Sequence, residues 1–340
     1  MHPPRQQRGA PPAAGEARYH GRCAPLRGDA GSLPIMKVFI AGGTGVLGRR
    51  IVAGLCARGD RVVALVRSAE GERKIGELGG EACRGDIFDS EGMARLARGC
   101  EVVIHAASSI PIRGTRFRRR WRMNDRLHRE GTQALTACAA RIDARLFVQQ
   151  SVVWVAAPPD GTFFDEETPP APAPHLRADL DGERIALAAG RKYGFQTAVL
   201  RCGWFYGTDA PHTRLLARNL RARRLPIVGK GDALWACLHL DDAAEAFMTA
   251  ATAGRGGRWH VVDDEPVRVA DFLRYFAQRL GAPAPRHVPV WLARIVAGSY
   301  ATDFFTRSVR TSNARFRNEF SWTPRFPSYR EGIDAIVGAL

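Results

Sequence analysis

The stretch AGGTGVLG (41–48) most narrows the folds that this chain can adopt. It follows KVFIA (37–41), a continuous apolar run with β-branched residues, which predicts a buried strand. It leads into LGRRIVAGLCARG (47–59), where apolar residues recur at helical spacing and the last glycine suits a C-cap. A buried strand, a glycine turn and a helix in that order predict the first unit of a parallel sheet.

Three of the four glycines in this turn have the spacing of an anion-binding loop. Gly42 permits a tight turn, Gly45 lets a phosphate approach the backbone without a Cβ in the way, and Gly48 allows the helix to pack closely on the sheet. Val46 and Leu47 complete the loop, and the helix N-terminus presents unpaired N–H groups to the anion. We therefore expect these five residues to hold a pyrophosphate; a purely structural glycine turn is the alternative.

The end of the second predicted strand indicates which dinucleotide binds. RVVALV (61–66) is followed by Arg67, where a binder of NAD would carry Asp or Glu to accept the ribose 2′-OH. A guanidinium would instead attract a 2′-phosphate, so NADP(H) is predicted over NAD(H). The alternative is that Arg67 is one more surface arginine in an arginine-rich chain.

Strands and helices alternate along most of the chain. Strands are predicted over 61–66, 101–107, 145–151 and 196–203, and helices over 90–99, with Ser90 as N-cap, 120–141 and 183–194. This succession predicts the α/β class, with a Rossmann-like, doubly wound parallel sheet and a smaller C-terminal mixed α/β substrate cap. Later helices are predicted over 241–253, 270–280 and 290–298, and 259–264 returns a strand to the main sheet. The dinucleotide-binding domain is placed at 36–205, completed by about 234–264, and the cap at 206–233 and 265–340.

Residues 1–35 are rich in Pro, Gly, Ala and Arg and show no apolar periodicity. They lack the apolar segment of a secretory signal, so we expect a disordered leader or a misassigned start upstream of Met36. This segment therefore enters no argument about the fold.

The amino-acid composition limits the kinds of partner that this chain is expected to bind. The formal charge of +16 is carried mostly by arginine, but the arginines recur along the whole chain and aromatic residues do not alternate with them, so no nucleic-acid partner is expected. The seven cysteines are scattered and form no C-x-x-C pair, which indicates neither a disulfide framework nor a metal site. No apolar run reaches the roughly 18 residues of a membrane span, so a cytoplasmic protein with no membrane partner is expected.

The ordered motifs together resemble the extended short-chain dehydrogenase/reductase superfamily, in its epimerase/dehydratase-like branch. The resemblance covers residues 36–340, and its landmarks after the glycine turn are RGDIFD (84–89), EVVIHAAS (101–108), NDRLHREGT (124–132), VQQSVVWV (148–155), LRCGWFYG (200–207), CLHLDDAAEAF (237–247) and SWTPRFPSYREGI (321–333). It implies an NAD(P)-dependent oxidoreductase or an epimerase/dehydratase-type enzyme.

The resemblance also implies roles for matching positions. Asp86 and Ile87 should lie against adenine, Ala106 and Ala107 should line the cofactor, Ser151 should be the active-site hydroxyl, and Asp241 or Asp242 should cap a helix. By the same resemblance, a homodimer would form through helices near 121–141 and 176–192.

The family's Tyr-x-x-x-Lys pair is missing at its expected place. When the chain is aligned on Glu183, the lysine position falls on Asp179 and the tyrosine position on His175. No shift of register restores the pair, because the nearest lysine, Lys192, lies beside Tyr193 in the segment that leads into the next strand.

Several hypotheses fit this replacement. His175 could act as a general acid or base that is oriented by Asp179, with Ser151 holding a substrate oxygen, or the helix that follows could merely pack. The chain would then be a reductase or epimerase with an unusual site, a catalytically silent NADP(H)-binding protein, or a non-redox isomerase or lyase on the same fold.

A small-molecule substrate is expected, and its charge is suggested by the arginines of 113–129. This segment follows the fourth predicted strand, at the carboxyl edge where ligands bind, so Arg113 could clamp a carboxylate or phosphate if it faces the pocket. The cap residues Trp204, Tyr206 and Arg214 lie in segments that shape substrate in the family, although core packing would explain the aromatic residues equally well.

Overall fold

The structure is a computed structural model that describes residues 35–112 and 114–340. Apart from Ile35, the predicted leader lies outside the described residues, and so does Arg113. Residues Ile35–Leu340 form one compact unit.

The strands confirm the predicted alternation. They are β1 (Lys37–Ala41), β2 (Arg61–Val66), β3 (Glu81–Arg84), β4 (Val102–His105), β5 (Leu146–Val152), β6 (Gln196–Cys202), β7 (Trp204–Tyr206), β8 (Ile227–Val228), β9 (Leu234–Trp235), β10 (Cys237–His239), β11 (Gly257–Val261), β12 (Val267–Arg268) and β13 (His287–Val288). Seven of them form one parallel sheet in the order β11-β6-β5-β4-β1-β2-β3. The direction of winding reverses between β1 and β4, and ligands bind at the carboxyl ends of strands at such a point.

The helices connect these strands and cover the sheet. They are α1 (Gly48–Ala57), α2 (Ala69–Glu77), α3 (Ser90–Leu96), α4 (Arg122–Arg126), α5 (Thr132–Arg141), α6 (Arg177–Tyr193), α7 (Pro211–Arg221), α8 (Leu240–Ala253), α9 (Val269–Arg279), α10 (Val290–Thr306), α11 (Ala314–Phe320) and α12 (Tyr329–Val337). A π-helical turn, Leu127–Gly131, joins α4 to α5, and short 3₁₀ turns at Arg118–Trp121 and Pro174–Leu176 precede α4 and α6. Among the described residues, no helix is long and apolar enough to cross a membrane.

The sheet is buried on both faces, which explains why its strands are continuously apolar. In β1, Val38 and Ile40 share a core cluster with α1 and α8, whereas Phe39 and Ala41 belong to the cluster with α3, α5 and α6. Successive side chains of a strand point to opposite faces, so the four apolar residues in a row, Val38 to Ala41, join two cores.

The C-terminal region returns one strand to the sheet, as predicted. β11 pairs in parallel with β6. The remaining segments form two-stranded pairs, β7 with β10, β9 with β12 and β8 with β13, around an aromatic core. The predicted domain limits remain a prediction.

The predicted helix ends need three corrections. Asp89 rather than Ser90 caps α3, because its carboxylate accepts from the Gly92 N–H (2.9 Å). His239 caps α8, since Asp241 pairs with an arginine and Asp242 accepts backbone N–H groups from residues 325 and 326. α10 continues past its predicted end at residue 298 and reaches Thr306, with a break in the helix at Gly298.

We predict that Gly48→Ala destabilises the protein by about 1–3 kcal/mol, because the added methyl would lie 2.7 Å from the carbonyl carbon of Gly42 and α1 would have to move. Gly76→Ala in α2 is the matched control, since its methyl meets nothing within 4 Å and should be neutral or mildly stabilising. Urea unfolding of both variants measures the difference. Equal stabilities would contradict close packing at the turn.

Candidate active site

The glycine turn and the start of α1 form an anion-binding cradle. Gly42 has φ +92°, and a Cβ there would lie 2.5 Å from the backbone of Ala106 and Ala107. The turn closes where the Gly45 N–H donates to the Gly42 carbonyl (2.9 Å). α1 begins with no side-chain cap and no acid in its first turn. With no side chain to accept from them, the N–H groups at this end fit a pyrophosphate.

Two arginines beside the turn were missed at the sequence level. Arg50 pairs with Asp209 (2.9 Å) and Asp241 (2.6 Å) and donates to the Val46 carbonyl (2.8 Å), and Arg49 also pairs with Asp209. These ion pairs fasten the segment before α7 to the glycine turn. The signal in the sequence was the pair of arginines directly after Gly48.

The predicted adenine end lies at the carboxyl ends of β2 and β3. Arg67 is exposed directly after β2, and within the described residues its guanidinium forms no ion pair. Asp86 is exposed and its carboxylate accepts from the Phe88 N–H (3.0 Å), whereas Ile87 is buried. The three residues thus lie in the region that the resemblance assigns to adenosine.

The end of β4 contacts the glycine turn directly. Ala106 and Ala107 meet the backbone of Gly42, so the structure brings these predicted cofactor-lining residues together. The Ala107 N–H donates to Nδ1 of the buried His105 (3.3 Å), which leaves Nε2–H to donate to the Leu127 carbonyl (3.2 Å). Burial lowers the pKa of His105 to about 3, so the imidazole is neutral and links β4 to the π-helical turn by hydrogen bonds.

Ser151 is tied to a buried ion pair. Its hydroxyl donates to a Glu183 carboxylate oxygen (2.5 Å), and the same carboxylate accepts two bonds from the Arg201 guanidinium (2.9 and 2.8 Å). All three side chains are buried. The hydroxyl therefore serves the contact between β5, β6 and α6 in this structure, and its predicted role toward substrate stays a prediction.

Asp179 lies in a polar cluster at the start of α6. Its Oδ1 is 3.4 Å from Nε2 of His128, which lies on the π-helical turn. Asp125 lies nearby, and its Oδ2 forms an ion pair with Arg118 (2.9 Å). Burial raises the pKa of Asp179 to about 7 and lowers that of His128 to about 4. At neutral pH the imidazole is thus uncharged, while the Asp179 carboxyl is close to half protonated. His128 and Asp125 were not predicted.

His175 is half-buried on the 3₁₀ turn before α6. Its ring packs edge-on against that of Tyr300, with the centroids 4.9 Å apart. Burial lowers its pKa below the usual value, so the imidazole is neutral at physiological pH. His175 lies four positions before Asp179 in the chain, and the side chain that approaches the Asp179 carboxylate, at 3.4 Å, is that of His128.

The two aromatic cap residues lie in the cap core. Trp204 stacks near Trp235 (5.1 Å between ring centroids) and Tyr206 is wholly buried. Tyr206 is therefore a packing residue, which corrects its predicted contact with substrate. Trp204 is half-buried, and its predicted role is untested.

A cavity of about 770 Å³ opens between the segment after β4 and the start of α7. Its apolar walls come from Ile110, Pro111, Ile112, Pro211 and Leu215, and Ser109 completes the lining beside three arginines, Arg120, Arg214 and Arg218. Among the described residues, no carboxylate lines it. The cavity thus has the volume of a small-ligand site and favours an anion with an apolar body. Of the predicted substrate residues, Arg214 lines it.

We predict that Asp179→Asn flattens the pH dependence of stability. A carboxyl with a pKa near 7 in the fold and near 3.8 in the unfolded chain stabilises the fold below pH 4, and this contribution is lost as pH rises toward 7. Wild-type stability should thus fall by about 2 kcal/mol more than that of the variant between pH 5 and pH 8. Urea unfolding at both pH values measures it. Asp181→Asn, a half-exposed position on the same helix, should behave as wild type, and parallel curves for all three would contradict the assignment.

Comparison with known proteins shows the family. Residues 38–262 match the model of the NAD dependent epimerase/dehydratase family. The chain is 34% identical over 313 residues to a 3-diazoavenalumate denitrifying reductase from Streptomyces sp., covering 88% of this chain and 99% of the relative. It is 28% identical over 331 residues to a 4-hydroxy-2-methyl-3-oxo-4-farnesyl-3,4-dihydroquinoline-1-oxide ketoreductase from Stigmatella aurantiaca, covering 88% and 96%.

A solved structure shares the fold. The dTDP-glucose 4,6-dehydratase from Streptomyces venezuelae, solved with NAD and TYD bound, superposes with a TM-score of 0.73 at 22% identity, over 89% of this chain and 96% of that one. The predicted Rossmann-like sheet and the predicted resemblance are both confirmed. The chain belongs to the NAD-dependent epimerase/dehydratase family, and it is an enzyme of the oxidoreductase/epimerase type.

Proposed function

We propose that the protein is an NADP(H)-dependent reductase of a small anionic substrate, which works without the Tyr-x-x-x-Lys pair of the resembling family. The observation that carries this proposal is the convergence of three features at one edge of the sheet. The glycine turn, the segment after β4 that leads into the arginine-lined cavity, and the Asp179 cluster all lie at the carboxyl ends of the strands.

The residues of the turn suit the cofactor. Gly42, Gly45, Val46, Leu47 and Gly48 would hold the pyrophosphate against the N-terminus of α1. Asp86 and Ile87 would lie along the adenosine, and Ala106 and Ala107 would lie under the nicotinamide half. A nicotinamide held there supplies the hydride of a reduction.

Arg67 supports NADP(H) over NAD(H). It is exposed, follows β2 directly, and has no carboxylate partner among the described residues. A charged guanidinium at this place suits a 2′-phosphate and leaves the ribose hydroxyl of NAD without an acidic acceptor.

The cavity supports an anionic substrate. Arg120, Arg214 and Arg218 reach the same space, and in the described part of the chain none of them pairs with a carboxylate. Because their charges are not neutralised, a carboxylate or phosphate would be held by charge-assisted hydrogen bonds, while the apolar walls hold its body.

Reduction rather than epimerisation is supported by the named relatives. A 3-diazoavenalumate denitrifying reductase and a dihydroquinoline-oxide ketoreductase match nearly the whole chain, as does a 2-alkyl-3-oxoalkanoate reductase at 26% identity over 299 residues. We therefore propose a carbonyl group as the hydride acceptor. Asp179 and His175 stand at the positions of the family's Lys and Tyr and would take part in moving the proton that this reduction requires.

A second candidate is the reductive removal of nitrogen from a diazo compound. The relative at 34% identity is named for such a reaction. A carbonyl that accepts hydride becomes an alkoxide and needs a proton, whereas a diazonium group that is replaced by hydrogen leaves as N₂ and needs none. Because this reaction needs no proton donor, the absence of the family's tyrosine at position 175 favours this candidate.

We predict that Arg67→Ala weakens NADPH binding about tenfold or more and leaves NADH binding unchanged, because a charge-assisted contact contributes about 1.5–3 kcal/mol. Calorimetric titration with each cofactor measures this. Arg61→Ala, an exposed arginine at the opposite end of β2, is the control and should bind as wild type does. If the affinities for NADPH and NADH fall equally, Arg67 does not bind the 2′-phosphate. If the folded wild type binds neither cofactor, the reductase proposal is wrong.

We predict that the wild type oxidises NADPH in proportion to product with a 3-oxoalkanoate or an aryl diazo carboxylate. UDP-glucose and dTDP-glucose should give no net oxidation, because epimerisation and dehydration return the hydride. Absorbance at 340 nm follows NADPH oxidation with either acceptor. Mass spectrometry distinguishes the two, because only the diazo compound releases N₂.

The same assay tests His175. His175→Phe should lower kcat about 100-fold if the imidazole takes part in proton transfer. His212→Phe, a half-buried histidine of α7, is the control. Unchanged kcat in His175→Phe would remove His175 from the chemistry.

A further inference from the structure

A tyrosine from the C-terminal part of the chain occupies the region where the family's phenol is missing. Tyr300 lies on α10, 125 positions after His175 in the chain, yet its ring centroid is 4.9 Å from that of His175. On its other side the ring packs at 4.3 Å from Trp121, the last residue of the 3₁₀ turn before α4. The phenol is thus held between the segment after β4 and the start of α6.

A break in α10 places this tyrosine. Gly298 has φ +85°, and a Cβ there would lie 2.7 Å from the Cβ of Arg116. The glycine therefore allows the helix to lie directly on the segment 114–121. The Thr302 hydroxyl donates to the Gly298 carbonyl (2.9 Å), which satisfies a group at the break. The second half of α10 starts in this way with Tyr300 facing Trp121 and His175.

The Tyr300 hydroxyl has no structural partner within the described residues. A contrast with Tyr206 shows what this means: the Tyr206 hydroxyl is also without a partner, but its side chain is wholly enclosed by the cap core. Tyr300 is half-buried rather than wholly enclosed. Burial, with the charge of Asp179 as a second cause, raises the pKa of Tyr300 above its usual value. The phenol is therefore a donor at neutral pH.

We propose that Tyr300 is the proton donor of the reduction, delivered by α10 to the place that His175 leaves without a phenol. This rests on the proposed function. A C–H bond forms at the carbonyl carbon from the hydride, the O–H bond of Tyr300 breaks, and its proton goes to the substrate oxygen. The Asp179 carboxyl, which is about half protonated at neutral pH and more fully protonated below it, returns a proton to the phenolate and regains its own from solvent.

The first test is kinetic. Tyr300→Phe keeps the ring between Trp121 and His175 and removes only the hydroxyl, so the fold and the Kd for NADPH should not change. The rate of NADPH oxidation with a 3-oxoalkanoate should fall about 100-fold in kcat. Tyr193→Phe, an exposed tyrosine at the far end of α6, is the control. Equal kcat for wild type and both variants overturns the proposal.

The second test does not depend on turnover. Tyrosine labelled with ¹³C at Cζ gives a resonance that Tyr300→Phe identifies. In the apo protein it should shift with a midpoint near pH 7 as Asp179 ionises, and the shift should vanish in Asp179→Asn. The charged and titratable groups that face Asp179 are Asp125 of α4, His128 and Arg129 of the π-helical turn, Glu183 of α6, and Tyr300 itself. A Tyr300 resonance that does not change between pH 5 and pH 9 overturns the link to Asp179.

The two readouts separate the possible failures. If the wild type binds NADPH but reduces only the aryl diazo carboxylate, the carbonyl acceptor is wrong and Tyr300 is not needed as a donor, whatever its resonance shows. If the wild type reduces the carbonyl and Tyr300→Phe is as fast, the reductase proposal stands and the role of Tyr300 fails. A slow variant with unchanged NADPH affinity and a resonance coupled to Asp179 supports both.

Discussion

The position of α6, which carries Asp179, depends on the buried ion pair of Glu183 and Arg201. Two parallel hydrogen bonds join the side chains inside the protein, and the Ser151 hydroxyl adds a third to the same carboxylate. Removing two charges from water is costly, so such a pair needs excellent geometry, and this one has a bidentate arrangement. It fixes α6 to β5 and β6. Since Asp179 lies one turn before Glu183, on the same face of the helix, the pair also sets where Asp179 points.

The electrostatics of the site are local and opposite to those of the chain as a whole. The chain carries a formal charge of +16, yet Asp179 faces Asp125 and Glu183 and is buried among them. Burial and like charges both favour the protonated carboxyl. A lysine at this position would be charged and would hold ribose hydroxyls as a donor. An aspartic acid with a pKa near 7 is instead a group that can give and take a proton at physiological pH.

Local patterns predicted the cofactor half of the molecule well. β1 and β2 begin and end at the residues that the apolar runs indicate, and the glycine turn leads from β1 into α1 as its place in the sequence predicts. These features depend on hydrogen bonds and packing between neighbours in sequence or on one strand ladder. Small errors, such as the choice of Ser90 over Asp89 as a cap, reflect competition between adjacent residues that both can accept the bond.

Long-range contacts limited the prediction of the substrate half. His128 approaches Asp179 on a π-helical turn, and a single extra residue in a turn leaves no trace in apolar periodicity. Tyr300 was missed because Gly298 reads as the end of a helix, whereas the backbone resumes helical geometry after it. The Ser151 hydroxyl was assigned to substrate from the resemblance. Its contacts with Glu183 and Arg201 were not predicted, because these residues are distant from it in sequence.

This arrangement explains how the site can vary while the fold persists. The contacts that hold α6 are made by Glu183, and the glycine turn is held by backbone contacts with β4 and by the arginine pairs with Asp209. Neither depends on which residue stands at 175 or 179. A change of those two residues therefore alters the chemistry available at the edge of the sheet without removing a support of the core. The C-terminal segment that covers this edge can then supply a different group, because Tyr300 contacts Trp121 and His175 through its ring and not through its hydroxyl.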